Sequence, residues 1–149
     1  MSAGQEREEH RIVVGVDGSP RSGEALRWAV RQAALTGASV DAVIAWHDPS
    51  SYEGYAWLIA DTSYAEAAAK ALGETVGTVV PADSGVTVHQ RVEEGHPARV
   101  LLDAADGADL LVVGSRGHGG FAGLLLGSVS QHCVLHSPCP VLVIRGRCR

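Results

Sequence analysis

Lysine is almost missing from this chain: Lys70 is the only one in 149 residues. With a formal net charge of −5 and a pI near 5.7, that shortage argues against the broad basic patches that nucleic acids and anionic membranes require. It also excludes a Walker A loop, which needs Gly-Lys followed by Ser or Thr, because Lys70 falls in a helical stretch. Long apolar runs are missing too, and nothing approaches the about 18 residues of a membrane span. The opening residues Ser2 to Glu9 are polar and acidic, unlike a signal peptide. Together these absences predict a cytoplasmic protein with neither a membrane nor a nucleic-acid partner. Cysteine is sparse: Cys133, Cys139 and Cys148 are odd in number and lack CxxC spacing, which argues against a disulfide framework. No G-x-S-x-G nucleophile elbow is present.

What is present suits one compact domain: 46% hydrophobic residues and a mean hydropathy of +0.08. The expected domain runs over residues 11–146, between a tail at 1–10 and a short arginine-containing tail at 147–149. Arg11 to Asp17 is an apolar run closed by turn residues, as a buried strand should be. Ser19 then offers an N-cap and Pro20 an N1 residue, while Leu26, Ala29, Val30 and Ala33 recur at helical spacing up to Gly37. A second strand runs from Ser39 to Trp46. A second helix is expected from a capping box at Ser63 and Glu66, with Ala65, Ala68, Ala69, Leu72, Val76 and Val79 as its stripe. Val86 to Val92 alternates apolar with polar residues and reads as an edge strand. Pro97 opens a third helix with Val100, Leu101, Ala104 and Ala105 inward, before a fourth strand at Asp109 to Val113. Ser128 to His136 reads as a fourth helix. Val141 to Ile144 is a last strand, either central or covered by a partner chain. Strictly alternating strands and helices imply a parallel, doubly wound α/β sheet.

In such sheets ligands sit outside the carboxyl ends of the strands, where neighbouring connections leave in opposite directions. Two glycine-containing segments belong there. One is Gly15-Val16-Asp17-Gly18-Ser19 after the first strand; the other is Gly114-x2-Gly117-x9-Gly127-Ser128 after the fourth. Glycine lets backbone N–H groups approach an anion closely, and a helix starting near Ser128 carries about half a positive charge at its amino end. A phosphate can be held there without lysine. Arg116 adds a fork of donors, and His118 lies in the same loop. Asp17 could contact a ligand or simply favour the helix start that follows it. Gly15 and Gly18 could equally serve a tight turn. His132 and His136, four apart, would share a helix face as some zinc ligands do, but a packed or solvated helix surface is the plainer reading. Tyr52, Tyr55 and Trp57 give the stretch from His47 to Asp61 an aromatic density that suits a lid, a docking surface or packing on the domain itself. No dedicated base for hydrolysis is evident.

From Arg11 to Arg145 the chain resembles the ATP-binding branch of the universal stress protein family. The resemblance rests on the first strand ending at Asp17, Glu94-Gly95-His96-Pro97-Ala98, Ala108-Asp109-Leu110, the Gly114-x2-Gly117-x9-Gly127-Ser128 spacing, and Ser137 to Val143. It implies a Rossmann-like sheet of five parallel strands in the order 3-2-1-4-5, a homodimer through Val141 to Ile144, and an unidentified regulatory partner. It also implies bound ATP with Mg²⁺ or Mn²⁺, with AMP or cyclic AMP as the alternative. Asp17 would meet ribose or the phosphate-bound metal, within a segment that also brings Gly15, Val16 and Ser19 to the nucleotide. Ala45 would bond adenine through its backbone. Val113, Gly114, Arg116, Gly117 and His118 would wrap ribose and phosphates, and Gly127, Ser128 and Val129 would hold the terminal phosphates. The implied activity is nucleotide sensing with at most slow hydrolysis; a nucleotide-independent dimeric interaction module is the competing expectation.

Overall fold

The computed structural model describes residues 9–47, 61–115 and 126–146, with the backbone alone at 61–63. Nine elements alternate along the chain: β1 (Arg11–Gly15), α1 (Pro20–Thr36), β2 (Ser39–Trp46), α2 (Asp61–Val79), β3 (Val88–Glu94), α3 (Pro97–Ala105), β4 (Leu110–Gly114), α4 (Ser128–His136) and β5 (Val141–Ile144). The strands form one parallel sheet in the order β3-β2-β1-β4-β5.

Helices cover both faces because the three inner strands are apolar on both. Ile12, Val14, Val40, Ala42, Ile44 and Val112 face α1 and α2, while Val13, Val43, Leu111 and Val113 face α3 and α4. α1 is built as its sequence suggests. Ser19 Oγ accepts from the Ser22 N–H, Pro20 sits in the first turn, and Gly37 ends the helix in the left-handed region at φ 79°. α3 buries Val100, Leu101, Ala104 and Ala105, the expected stripe.

Three local expectations give way to longer-range forces. α2 begins at Asp61, so Ser63 lies inside its first turn and does not cap it. Ala69 is exposed, while Ala68 and Leu72 carry the buried stripe. β3 begins at Val88 and extends to Glu94 because its bounds follow pairing with β2, from Val40 beside Val88 to Trp46 beside Glu94. Its placement at a sheet edge agrees with its alternating pattern.

The amino edge of the sheet is tied together by charge. Arg11 donates to Asp41 at 3.2 Å and to the carbonyls of Ala104 and Asp106, each at 2.8 Å. Arg91 approaches the same buried Asp41 at 3.6 Å. The carboxylate thus meets two guanidiniums, and Arg11 satisfies carbonyls left over at the end of α3.

Candidate functional site

β1 runs to β2 and β3 on one side, and the chain then returns to β4 on the other, so the topology reverses between β1 and β4. The carboxyl ends of these neighbours bring Gly15 and Gly114 to one crevice, the place where open α/β sheets bind ligands. Packing leaves little room for a side chain at either glycine. A Cβ on Gly15 would stand 2.8 Å from Leu101 Cδ1, and one on Gly114 would stand 3.1 Å from Arg21 Cβ and 3.3 Å from the Arg21 carbonyl carbon. Neither has positive φ, whereas Gly18 does, at 83°. Gly18 therefore makes the turn, and Gly15 admits α3.

After β1 the backbone is held locally. The Ser19 N–H donates to Asp17 Oδ1 at 2.8 Å, the Asp17 N–H donates to Ser22 Oγ at 3.2 Å, and the Ser22 hydroxyl donates to the Ser19 carbonyl at 2.9 Å. Asp17 is exposed at the mouth of the crevice, with Ser19 and Val16 buried beneath it. The amino end of α1 is thereby occupied by its own side chains. As for a metal, no group of three or more His, Cys, Asp or Glu that could hold one occurs among the described residues. A divalent ion at Asp17 would therefore depend on phosphate oxygens for most of its ligands.

α4 begins differently. Its N-cap is Gly127, which supplies no side-chain cap, and its first turn is Ser128, Val129 and Ser130. A helix leaves its first amides without intrahelical acceptors, and among the described residues no N-cap side chain takes them up. Two contacts aim this end at the crevice: the Gly127 N–H donates to the Ser115 carbonyl at 2.6 Å, and the Ser130 hydroxyl donates to the Gly114 carbonyl. The Ser115 N–H donates to Ile144, and Arg21 donates to Ser115 Oγ at 2.7 Å. Val113 and Ser115 are buried, and Val129 packs on the α3–α4 core.

Ala45 lies two residues beyond Val43, whose carbonyl accepts from the Val16 N–H at 2.9 Å. Backbone polar groups alternate sides along a strand, so those of Ala45 face the same way, over the point where β1 has become loop. Gly15, Val16, Asp17 and Ser19 thus follow β1, Ala45 and Val113–Gly114 lie at the carboxyl ends of β2 and β4, and Gly127, Ser128 and Val129 form the start of α4, with Val113 and Val129 turned to the α3–α4 core. Arg116, Gly117 and His118 lie outside the described residues, as does most of the aromatic stretch. His47 and His96 are exposed near the same sheet edge with ring centroids 5.4 Å apart. His96 occupies the N-cap position of α3 without a side-chain cap bond.

Two site residues carried no sequence signal. Ser130 and Arg21 sit inside helices, and their partners are 16 and 94 positions away. On the inner face of α4, burial pushes the Cys133 thiol up to about 11, so it is a core group and not a nucleophile. No helix of the described residues is long and apolar enough to cross a membrane.

Residues 9–145 match the universal stress protein family. A universal stress protein of Mycolicibacterium smegmatis is 37% identical over 138 residues, which cover 91% of this chain and 46% of the relative. The chain spans about half the length of the curated relatives it matches. Among solved structures, the universal stress protein UspA from Lactobacillus plantarum is similar at a TM-score of 0.76 and 26% identity, covering 91% of this chain and 97% of that one. A universal stress protein solved in complex with cAMP is similar at a TM-score of 0.63 and 29% identity, covering 91% and 96%. With its strand order, its crevice between β1 and β4 and its match over residues 9–145, the chain belongs to the universal stress protein family.

Proposed function

We propose that this chain binds an adenine nucleotide in the crevice between β1 and β4 and acts as a nucleotide-sensing regulator in the stress response. The observation that carries this reading is the amino end of α4, tied to the ends of β4 and started by Gly127 with no side-chain cap of its own, whereas α1 is capped by Ser19. Phosphates are held by the amides of Ser128 and Val129, with Gly114, Arg116, Gly117 and His118 around them. Adenine meets the backbone of Ala45, and Asp17 meets ribose or a phosphate-bound Mg²⁺ or Mn²⁺. When bound, that ion neutralises phosphate charge.

ATP is the preferred nucleotide, since both a first-turn cradle and a long glycine loop suit several phosphates. Cyclic AMP is the second reading, favoured by the similar protein solved with cAMP. Asp17 is the one carboxylate among the described residues of the crevice and is assigned here to ribose or the metal, so hydrolysis is expected to be slow; a turnover of about 1 per second or more would refute this. β5 is an edge strand of four half-buried residues, which suits a homodimer formed along Val141 to Ile144 in the cytoplasm.

Isothermal titration of nucleotide-stripped protein with ATP and Mg²⁺, then with cyclic AMP, tests the reading. Tight ATP binding supports it, binding of cyclic AMP alone transfers the site to one phosphate, and binding of neither leaves an interaction module. Gly117→Glu, which sets bulk and negative charge against phosphate, is expected to abolish binding while leaving fold and dimer intact.

A further inference from the structure

The imidazoles of His132 and His136 stand side by side on α4, with ring centroids 4.6 Å apart and planes inclined by 48°. Both residues are exposed, while Ser130 and Cys133 face the core. The helix fixes both backbones, because positions four apart share a face. A metal bound along the axis of an imidazole nitrogen lies about 2.0–2.1 Å from that nitrogen, hence about 3.2 Å from the ring centroid. Two such rings on one metal have centroids about 4.5 Å apart at a right-angled bite and about 5.2 Å apart at a tetrahedral one. The observed spacing matches the right angle. That bite belongs to tetragonal nitrogen sites, the geometry of Cu²⁺ and Ni²⁺.

We propose that His132 and His136 form a two-histidine chelating site for a divalent tetragonal metal ion, Ni²⁺ or Cu²⁺, separate from the nucleotide crevice. The rings need only turn about the broad final torsion of histidine to aim one nitrogen each at the metal. Their exposure keeps the desolvation cost small, and water completes the coordination. Since the two ligands span consecutive turns near the carboxyl end of α4, the ion clips the helix whose other end faces the crevice.

Ni²⁺ is the appropriate probe, because Cu²⁺ would oxidise the thiols. Titration calorimetry of the full chain with NiCl₂ at neutral pH is expected to show one strong site. Loss of an outer partner of a metal ligand already costs about 10–100-fold in affinity, so His132→Gln and His136→Gln should each weaken Ni²⁺ binding by about tenfold or more. The double variant Val134→His with His136→Gln keeps the number of histidines but turns the second one to another side of the helix, and should bind no better than His136→Gln alone. Circular dichroism should show these surface variants fully folded. The proposal is overturned if wild-type protein does not bind Ni²⁺, if both single variants bind like wild type, or if the loss follows His47→Gln instead.

Discussion

Gly15→Ala isolates the reason for a glycine at the end of β1. The added methyl would sit 2.8 Å from Leu101 Cδ1 and 3.3 Å from Cδ2, against an ordinary carbon–carbon contact of about 3.5–4.0 Å. Leu101 is 5% exposed and packed with Val13, Val43 and Leu111, so its displacement would disturb the α3 core. Overpacking of this kind costs about 1–3 kcal/mol, and since Gly15 has no positive φ the cost comes from the contact, offset in part by about 0.4–1 kcal/mol from the stiffer unfolded chain. With a urea m-value of about 2 kcal/mol/M, the contact by itself should lower the midpoint by about 0.5–1.5 M. Leu101→Ala alone should cost about 2–5 kcal/mol. In the double variant the clash is gone, so its loss should be smaller than the sum of the two single losses, by a coupling of about 0.5–3 kcal/mol. Urea denaturation of the four proteins measures the cycle. Strict additivity would refute the packing explanation, and so would a Gly15→Ala protein of full stability that has lost nucleotide affinity.

Ser128→Pro should delete one amide of the α4 cradle while keeping the helix, since proline suits the first helical position and Gly127 is already extended, at ψ 168°. A hydrogen bond to a charged group is worth about 1.5–3 kcal/mol, so calorimetry should show ATP affinity falling by at least about tenfold with an unchanged melting temperature. Asp41→Ala should destabilise by about 2–3 kcal/mol in chemical denaturation, because Arg11 and Arg91 lose their shared carboxylate while Arg91 retains Glu93. The Cys133 thiol titrates near 11 when folded against 9.0 otherwise, so the folded state disfavours its thiolate. Its contribution is complete below pH 9 and declines as pH rises toward 11, by about 2–3 kcal/mol in all. Denaturation at pH 8 and pH 10.5 should therefore show a steeper loss in wild type than in Cys133→Ala.

How far the sequence reveals this molecule depends on the distance over which each feature is decided. α1 is legible because Ser19, Pro20 and Gly37 act on adjacent backbone, and α4 is legible at both ends. The Ser63 capping box misleads because such a box states a local option, and α2 takes an earlier start at Asp61. β3 is displaced by two residues because β2 dictates its register. At the crevice the glycines are legible as a pattern but not in their separate duties: Gly15 and Gly114 answer to Leu101 and Arg21, far away in the chain. Arg21 and Ser130 leave no trace for the same reason. The strand order 3-2-1-4-5 was carried by the family resemblance, since alternation alone gives a parallel sheet without saying which strands adjoin.

The bare start of α4 has an evolutionary consequence. A cradle made of main-chain amides belongs to the backbone and not to any codon, so Ser128 and Val129 can be exchanged for many residues without dismantling it. What sets the direction of this helix end is the Ser130 hydroxyl on the Gly114 carbonyl and the Gly127 amide on the Ser115 carbonyl. If the proposed anion site is there, substitutions at the amino end of α4 would leave its amides in place, and side chains at the rim would be free to tune which anion is preferred.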